Sequence, residues 1–124
     1  MRDIISVGEV LIDLTQTGTT DQGIPAFAAN PGGAPANVAV AAARLGAETA
    51  FFGKVGRDSF GAYLRRVLEE NGVDCSGLRT GSQPTTLAVV SVDSRGERDF
   101  QFIRGADCTL SPEEVDEEAL GRTK

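Results

Sequence analysis

Asn30-Pro31-Gly32-Gly33-Ala34-Pro35-Ala36-Asn37-Val38-Ala39, "NPGGAPANVA", sets the frame for everything around it. The paired glycines make a turn, and Pro35 fits the first turn of a helix, where its missing N–H costs nothing. That helix runs to Leu45 and stops at Gly46, a natural C-cap. Its surface is alanine on nearly every side, which predicts close packing between neighbours.

Upstream, Ile4-Ile5-Ser6-Val7-Gly8 and Val10-Leu11-Ile12-Asp13-Leu14 form a short apolar run without helical stops. It reads as one buried strand ending in polar Thr15-Gln16-Thr17-Gly18. Downstream, residues 48–56 predict a second strand. A second helix opens at Asp58 or Ser59, with Phe60, Tyr63, Leu64, Val67 and Leu68 on one stripe and Gly72 at its end. Strand, helix, strand, helix calls for a parallel α/β sheet with right-handed crossovers.

Three segments stand outside that alternation. Residues 15–30 read as a loop, with a short edge strand around Ala26-Phe27-Ala28. Residues 85–93 and 98–103 are β-rich runs joined by Ser94-Arg95-Gly96-Glu97, which predicts a hairpin forming a separate flap. Ser111-Pro112-Glu113-Glu114 is a capping box with proline at the first helical position, opening a short acidic helix to about Leu120.

Composition narrows the function. The 124 residues suffice for one domain, and 40% apolar with 24% charged residues indicates a soluble globular chain. The net charge of −6 disfavours nucleic acid and anionic membranes as partners. Residues 111–124 carry five acids against two bases, expected to form a solvated helix face. There is no histidine, which argues against zinc and against a His-based triad. Cys75 and Cys108, far apart, suit a reducing cytosol more than a disulfide. The N-terminus has too short an apolar run for a signal peptide, so the expected location is cytoplasmic.

Gly56-Arg57-Asp58-Ser59-Phe60-Gly61 has the G-x-x-x-x-G frame of a phosphate loop, but Ala62-Tyr63 stand where Lys and Ser/Thr belong. It reads as a turn and helix cap. The opening stretch has two readings that stay open on residues alone. One is a plain turn followed by a stray asparagine. The other is a polyol or sugar site. There bare glycine backbone admits a ligand, Asn37 offers both donor and acceptor, and Asp13 completes the set as an acceptor at a strand end.

Gly33-Ala34-Pro35-Ala36-Asn37-Val38-Ala39, then Gly46 and Gly56, resemble the N-terminal signature of the PfkB (ribokinase-like) carbohydrate kinases. The flanks Gly8-Glu9-Val10-Leu11-Ile12-Asp13 and Gly53-Lys54-Val55-Gly56-Arg57-Asp58-Ser59-Phe60-Gly61 resemble it too, with the fructokinase subgroup nearest. The resemblance spans essentially the whole chain. It implies a ribokinase-like three-layer α/β sandwich with a small β-sheet lid formed by about 15–30 and 85–103. It implies that Asp13, Gly32, Gly33 and Asn37 hold sugar hydroxyls, and that Phe100, Gln101, Phe102 and Arg104 close over the sugar.

The implied reaction is ATP- and Mg²⁺-dependent phosphorylation of a primary hydroxyl, with a homodimer formed through the lid. Core or dimer packing is an equally open role for the two phenylalanines. The family's D-T-x-G-A-G-D run, which carries the catalytic-base aspartate, is not among these residues. Residues 1–124 are therefore expected to be an N-terminal sugar-binding portion, inactive by itself, with no catalytic base and no metal ligand. A non-catalytic sugar-binding or regulatory module is the alternative. Fructose leads among the sugars; ribose, a keto-deoxy sugar acid and a nucleoside stay open.

Overall fold

The computed structural model describes residues 1–124. Its strands are β1 (Ile4–Val7), β2 (Leu11–Thr19), β3 (Pro25–Gly32), β4 (Thr49–Gly56), β5 (Leu78–Gly81), β6 (Leu87–Val92) and β7 (Arg98–Ile103). Its α-helices are α1 (Ala34–Arg44), α2 (Ser59–Glu70) and α3 (Glu117–Gly121), with 3₁₀ turns at Ala106–Thr109 and Pro112–Glu114.

The expected parallel sheet is present, in the order β1-β4-β5. β5 escaped the sequence reading because Leu-Arg-Thr-Gly has neither length nor alternation. α1 and α2 cover one face, where Val10, Ile12, Phe51, Val55, Leu64, Leu68 and Leu78 make the core with Ala36 and Ala39. Lys54, one residue out of phase with Val55, reaches Thr109 and Glu114 instead, so the 106–114 segment packs on the other face.

Residues 4–14 are not one strand. The chain breaks at Gly8 (φ +150°), where a Cβ would lie 2.7 Å from Pro35 Cγ. β1 stays in the parallel sheet and β2 enters a second sheet of order β3-β2-β6-β7. The segment expected as loop, 15–30, is mostly hairpin: β2 and β3 pair antiparallel from Leu11↔Gly32 to Thr19↔Pro25, with a register shift between Gln16 and Gly18. The short edge strand expected around Ala26-Phe27-Ala28 is present within β3, but backbone pairing rather than apolar alternation carries β2 on to Thr19 and lengthens β3, so their extent was not visible in the sequence. The predicted hairpin forms as β6 and β7, and β6 also joins β2 in parallel, which makes one mixed lid sheet.

Two further expectations are corrected. α1 is not enclosed on all sides: Ala36 and Ala39 are buried, but Asn37, Val38 and Ala41 are exposed. The acidic helix from Ser111 is broken, because Val115 is extended (φ −103°, ψ 127°) and Asp116 caps a new start. Its capping box does form, with Glu114 accepting from the Ser111 N–H at 3.1 Å. That Glu114 also pairs with Lys54 at 2.9 Å, so it is no solvated acid.

Both cysteines are free; Cys108 is exposed, and burial pushes the Cys75 thiol up to about 11, a structural rather than reactive group.

Candidate functional site

The lid sheet brings distant residues into one row. Its register aligns Asn30, Asp13, Ala88 and Phe102 across four strands, and Ala28, Thr15, Val90 and Phe100 in the next row. Paired positions share a face, so Asp13, Phe100 and Phe102 leave the sheet on the same side. Gln101 pairs with Val89, whose neighbour on β2 is Leu14, and alternation turns it to the opposite face. The structure therefore groups the two phenylalanines with Asp13 and separates Gln101 from them. Both rings are exposed, at 60% for Phe100 and 58% for Phe102.

Asp13 is half-buried, and no donor within the chain satisfies its carboxylate. Burial first, and the charge of Glu9 second, hold its pKa above the ordinary aspartate value. Gly32 is what lets it sit there: a Cβ on Gly32 would collide with that carboxylate and lie 3.2 Å from Leu11 Cδ1. Gly33 is fixed by different constraints. Its φ is +104°, and a Cβ would stand 2.7 Å from the Glu9 carbonyl oxygen. The two glycines thus serve the packing of Asp13 and of the β1–β2 crossing, beyond opening backbone to a ligand.

Asn37 sits one turn into α1, its N–H donating to the Gly33 carbonyl at 2.9 Å. Its side chain is exposed along the groove between α1 and α2 that also reaches Pro31 and Gly32. No burial forces its amide into a structural hydrogen bond.

Arg104, just beyond β7, is tied down. Its Nη1 donates to Glu9 Oε2 at 3.0 Å and lies 3.2 Å from Asp107 Oδ2. Its guanidinium also stands 6.0 Å from the centre of the Phe102 ring. The hydrogen bond it donates to Glu9, then the charge of Asp107, push its pKa up, so it is permanently cationic. The Asp107 side chain is only 3% exposed and accepts from the Thr86 hydroxyl, whose oxygen accepts from the Gly105 N–H at 2.9 Å. Glu9, Thr86 and Asp107 were not singled out as site residues from sequence. The available signals were Glu9 following Gly8 at the first strand's end and Asp107 three residues after Arg104.

The run 56–61 is confirmed as a helix cap. Asp58 Oδ1 accepts from the Gly61 N–H at 2.8 Å and from the Thr85 hydroxyl at 2.7 Å, and Oδ2 accepts from the Thr85 N–H at 2.9 Å. A carboxylate already fills the position a phosphate would take, so nucleotide phosphates do not fit there. No group of three or more His, Cys, Asp or Glu side chains gathers to hold a metal ion. No helix is long and apolar enough to cross a membrane.

A parallel sheet backed by two helices, with a mixed sheet beside it carrying an unsatisfied aspartate, is the ribokinase-like α/β architecture with its lid. The chain belongs to the pfkB family of carbohydrate kinases, which it matches over residues 1–124. It is 45% identical over 127 residues to probable fructokinase-4 of Arabidopsis thaliana, covering 98% of this chain and 39% of that protein. Among solved structures it resembles fructokinase from Xylella fastidiosa, with a TM-score of 0.89 and 40% identity over 97% of this chain and 38% of that one. The same fructokinase with bound ATP superposes with a TM-score of 0.88 at 39% identity. The chain spans less than half the length of the relatives it matches.

Proposed function

We propose that this chain is the sugar-holding portion of an ATP-dependent carbohydrate kinase that phosphorylates a primary hydroxyl, with fructose as the sugar. The observation that carries this reading is the Asp13 carboxylate, an acceptor with no donor of its own, seated over Gly32. A sugar brings the missing donors, because each hydroxyl gives one O–H. In this reading Asp13 accepts from two or more hydroxyls and fixes the ring. The exposed Asn37 amide and the partly exposed backbone of Gly33 take the remaining polar atoms. Phe100 and Phe102 cover an apolar ring face, Arg104 stands at the end of the lid, and closure keeps water from the reacting hydroxyl.

ATP with Mg²⁺ would supply the phosphoryl group. None of the residues described here forms its cradle, so Asp13 is assigned positioning of the hydroxyl and not phosphate chemistry. The reading extends to a cytoplasmic enzyme, in keeping with its two free thiols. It also extends to a homodimer paired through the exposed outer strand β7. Its fructokinase relatives support the choice of sugar.

Titration calorimetry of the 124-residue chain with D-fructose tests the reading. Saturable binding that disappears in Asp13→Ala is expected, and binding of equal strength in both chains would refute it. With MgATP and fructose, a coupled ADP-release assay of this chain should stay at background.

A further inference from the structure

The lid base holds one cation between two carboxylates. Arg104 comes from the end of β7, Glu9 from the β1–β2 turn and Asp107 from the 3₁₀ turn after the lid. The Asp107 side chain is buried and held by the Thr86 hydroxyl, which makes it the inner partner of Arg104. Glu9, with a side chain 34% exposed, is the outer partner and pairs with the same guanidinium nitrogen.

We propose that Glu9 is a specificity-determining residue: by occupying Arg104 it commits the site to uncharged sugars and turns away sugar acids. This rests on the sugar-kinase reading above and chooses within it. A substrate carboxylate needs a cation with spare charge and a free fork of N–H groups. Here Nη1 is already paired with two carboxylates, and one guanidinium against Glu9 and Asp107 leaves the cluster net negative. A third carboxylate would be brought up against like charge, which is unfavourable. A neutral sugar meets no such penalty, because its hydroxyls donate to the acidic oxygens. Removing the Glu9 charge would leave Arg104 with Asp107 alone and open its outer side to an anionic ligand.

D-Fructose and 2-keto-D-gluconate make a matched pair of probes, differing only in whether C1 is a hydroxymethyl or a carboxylate. Calorimetry on the unsubstituted chain is expected to show the acid binding at least about tenfold more weakly, the worth of one charge-assisted hydrogen bond lost or opposed. Glu9→Gln should shift the ratio of the two affinities toward the acid by about tenfold, and the further change Arg104→Ala should abolish that shift. Equal affinity of the unsubstituted chain for both sugars would overturn the proposal, whether or not the variants fold. So would an unchanged ratio in a Glu9→Gln chain that melts like the unsubstituted one. Failure of the unsubstituted chain to bind fructose at all would instead strike down the sugar-kinase reading on which the proposal stands.

Discussion

The Asp13 carboxylate occupies the volume that a side chain on Gly32 would fill. The two residues lie on adjacent antiparallel strands, Asp13 opposite Asn30 and Gly32 opposite Leu11, so they share one face of the lid sheet. The glycine pair of the signature stretch is therefore read first as steric permission for an acid and only then as access for a ligand. That ordering makes the two glycines separable by experiment.

Gly32→Ala should push the Asp13 carboxylate out of place, destabilising the chain by about 1–3 kcal/mol and removing fructose binding. Gly33→Ala must adopt a positive φ and crowd the Glu9 carbonyl, with a stability loss of about 1–3 kcal/mol. Chemical denaturation gives both losses. Tolerance of alanine at either position, with unchanged midpoint, would contradict the packing described here.

Asp13→Asn should bind sugar poorly yet melt slightly higher at pH 7, the gain being small because the group is half-exposed. The sign follows from linkage. The folded carboxyl has a pKa above its unfolded value of 3.8, so the folded chain holds the proton more tightly. Stability therefore falls as pH rises from 3.8 through the raised folded value, and the asparagine variant lacks that slope. Sugar affinity runs the other way, falling as acid protonates the acceptor. Melting curves and calorimetry across pH 3.5 to 7 would expose a failure of either trend.

Asp58→Ala should cost about 2–3 kcal/mol, the loss of one helix cap together with two bonds to Thr85. Burial raises the Asp58 pKa, but the Thr85 N–H, the Thr85 hydroxyl and the Gly61 N–H outweigh it and the net direction is downward. Its contribution is present above pH 3.8 and is lost as pH falls through the lowered folded value. Urea titrations of the variant should show the loss at pH 7 shrinking under acid, whereas a pH-independent difference would argue against the assigned network.

Lys54→Ala should release the 106–114 segment from the parallel sheet, since Lys54 holds both the Thr109 carbonyl at 3.2 Å and Glu114 at 2.9 Å. Amide exchange in residues 109–121 is expected to accelerate while β1 and β4 stay protected. Uniform acceleration across the chain would mean that Lys54 supports the core instead.

The sequence alone determined the elements whose cause is local. Pro35 and Gly46 bracket α1, Asp58 starts α2, the i, i+3, i+4 stripe from Phe60 to Leu68 turns its apolar side inward, and Arg98–Ile103 folds back on β6 through the turn at Gly96. Spaced glycines with Asp13 and Asn37 were enough to point to a polyol and to a kinase family. Only the tertiary structure decided that residues 4–14 divide between two sheets and that β2 runs on to Thr19. The ladder that holds it joins Ile12–Thr15 to Leu87–Val90, some 75 positions away. The separation of Gln101 from Asp13, and the grip of Glu9 on Arg104 across 95 positions, are of the same kind. Short-range propensity depends on neighbours in the chain, whereas strand pairing and ion pairing depend on which distant segments the closed core brings within reach, and no local pattern encodes that.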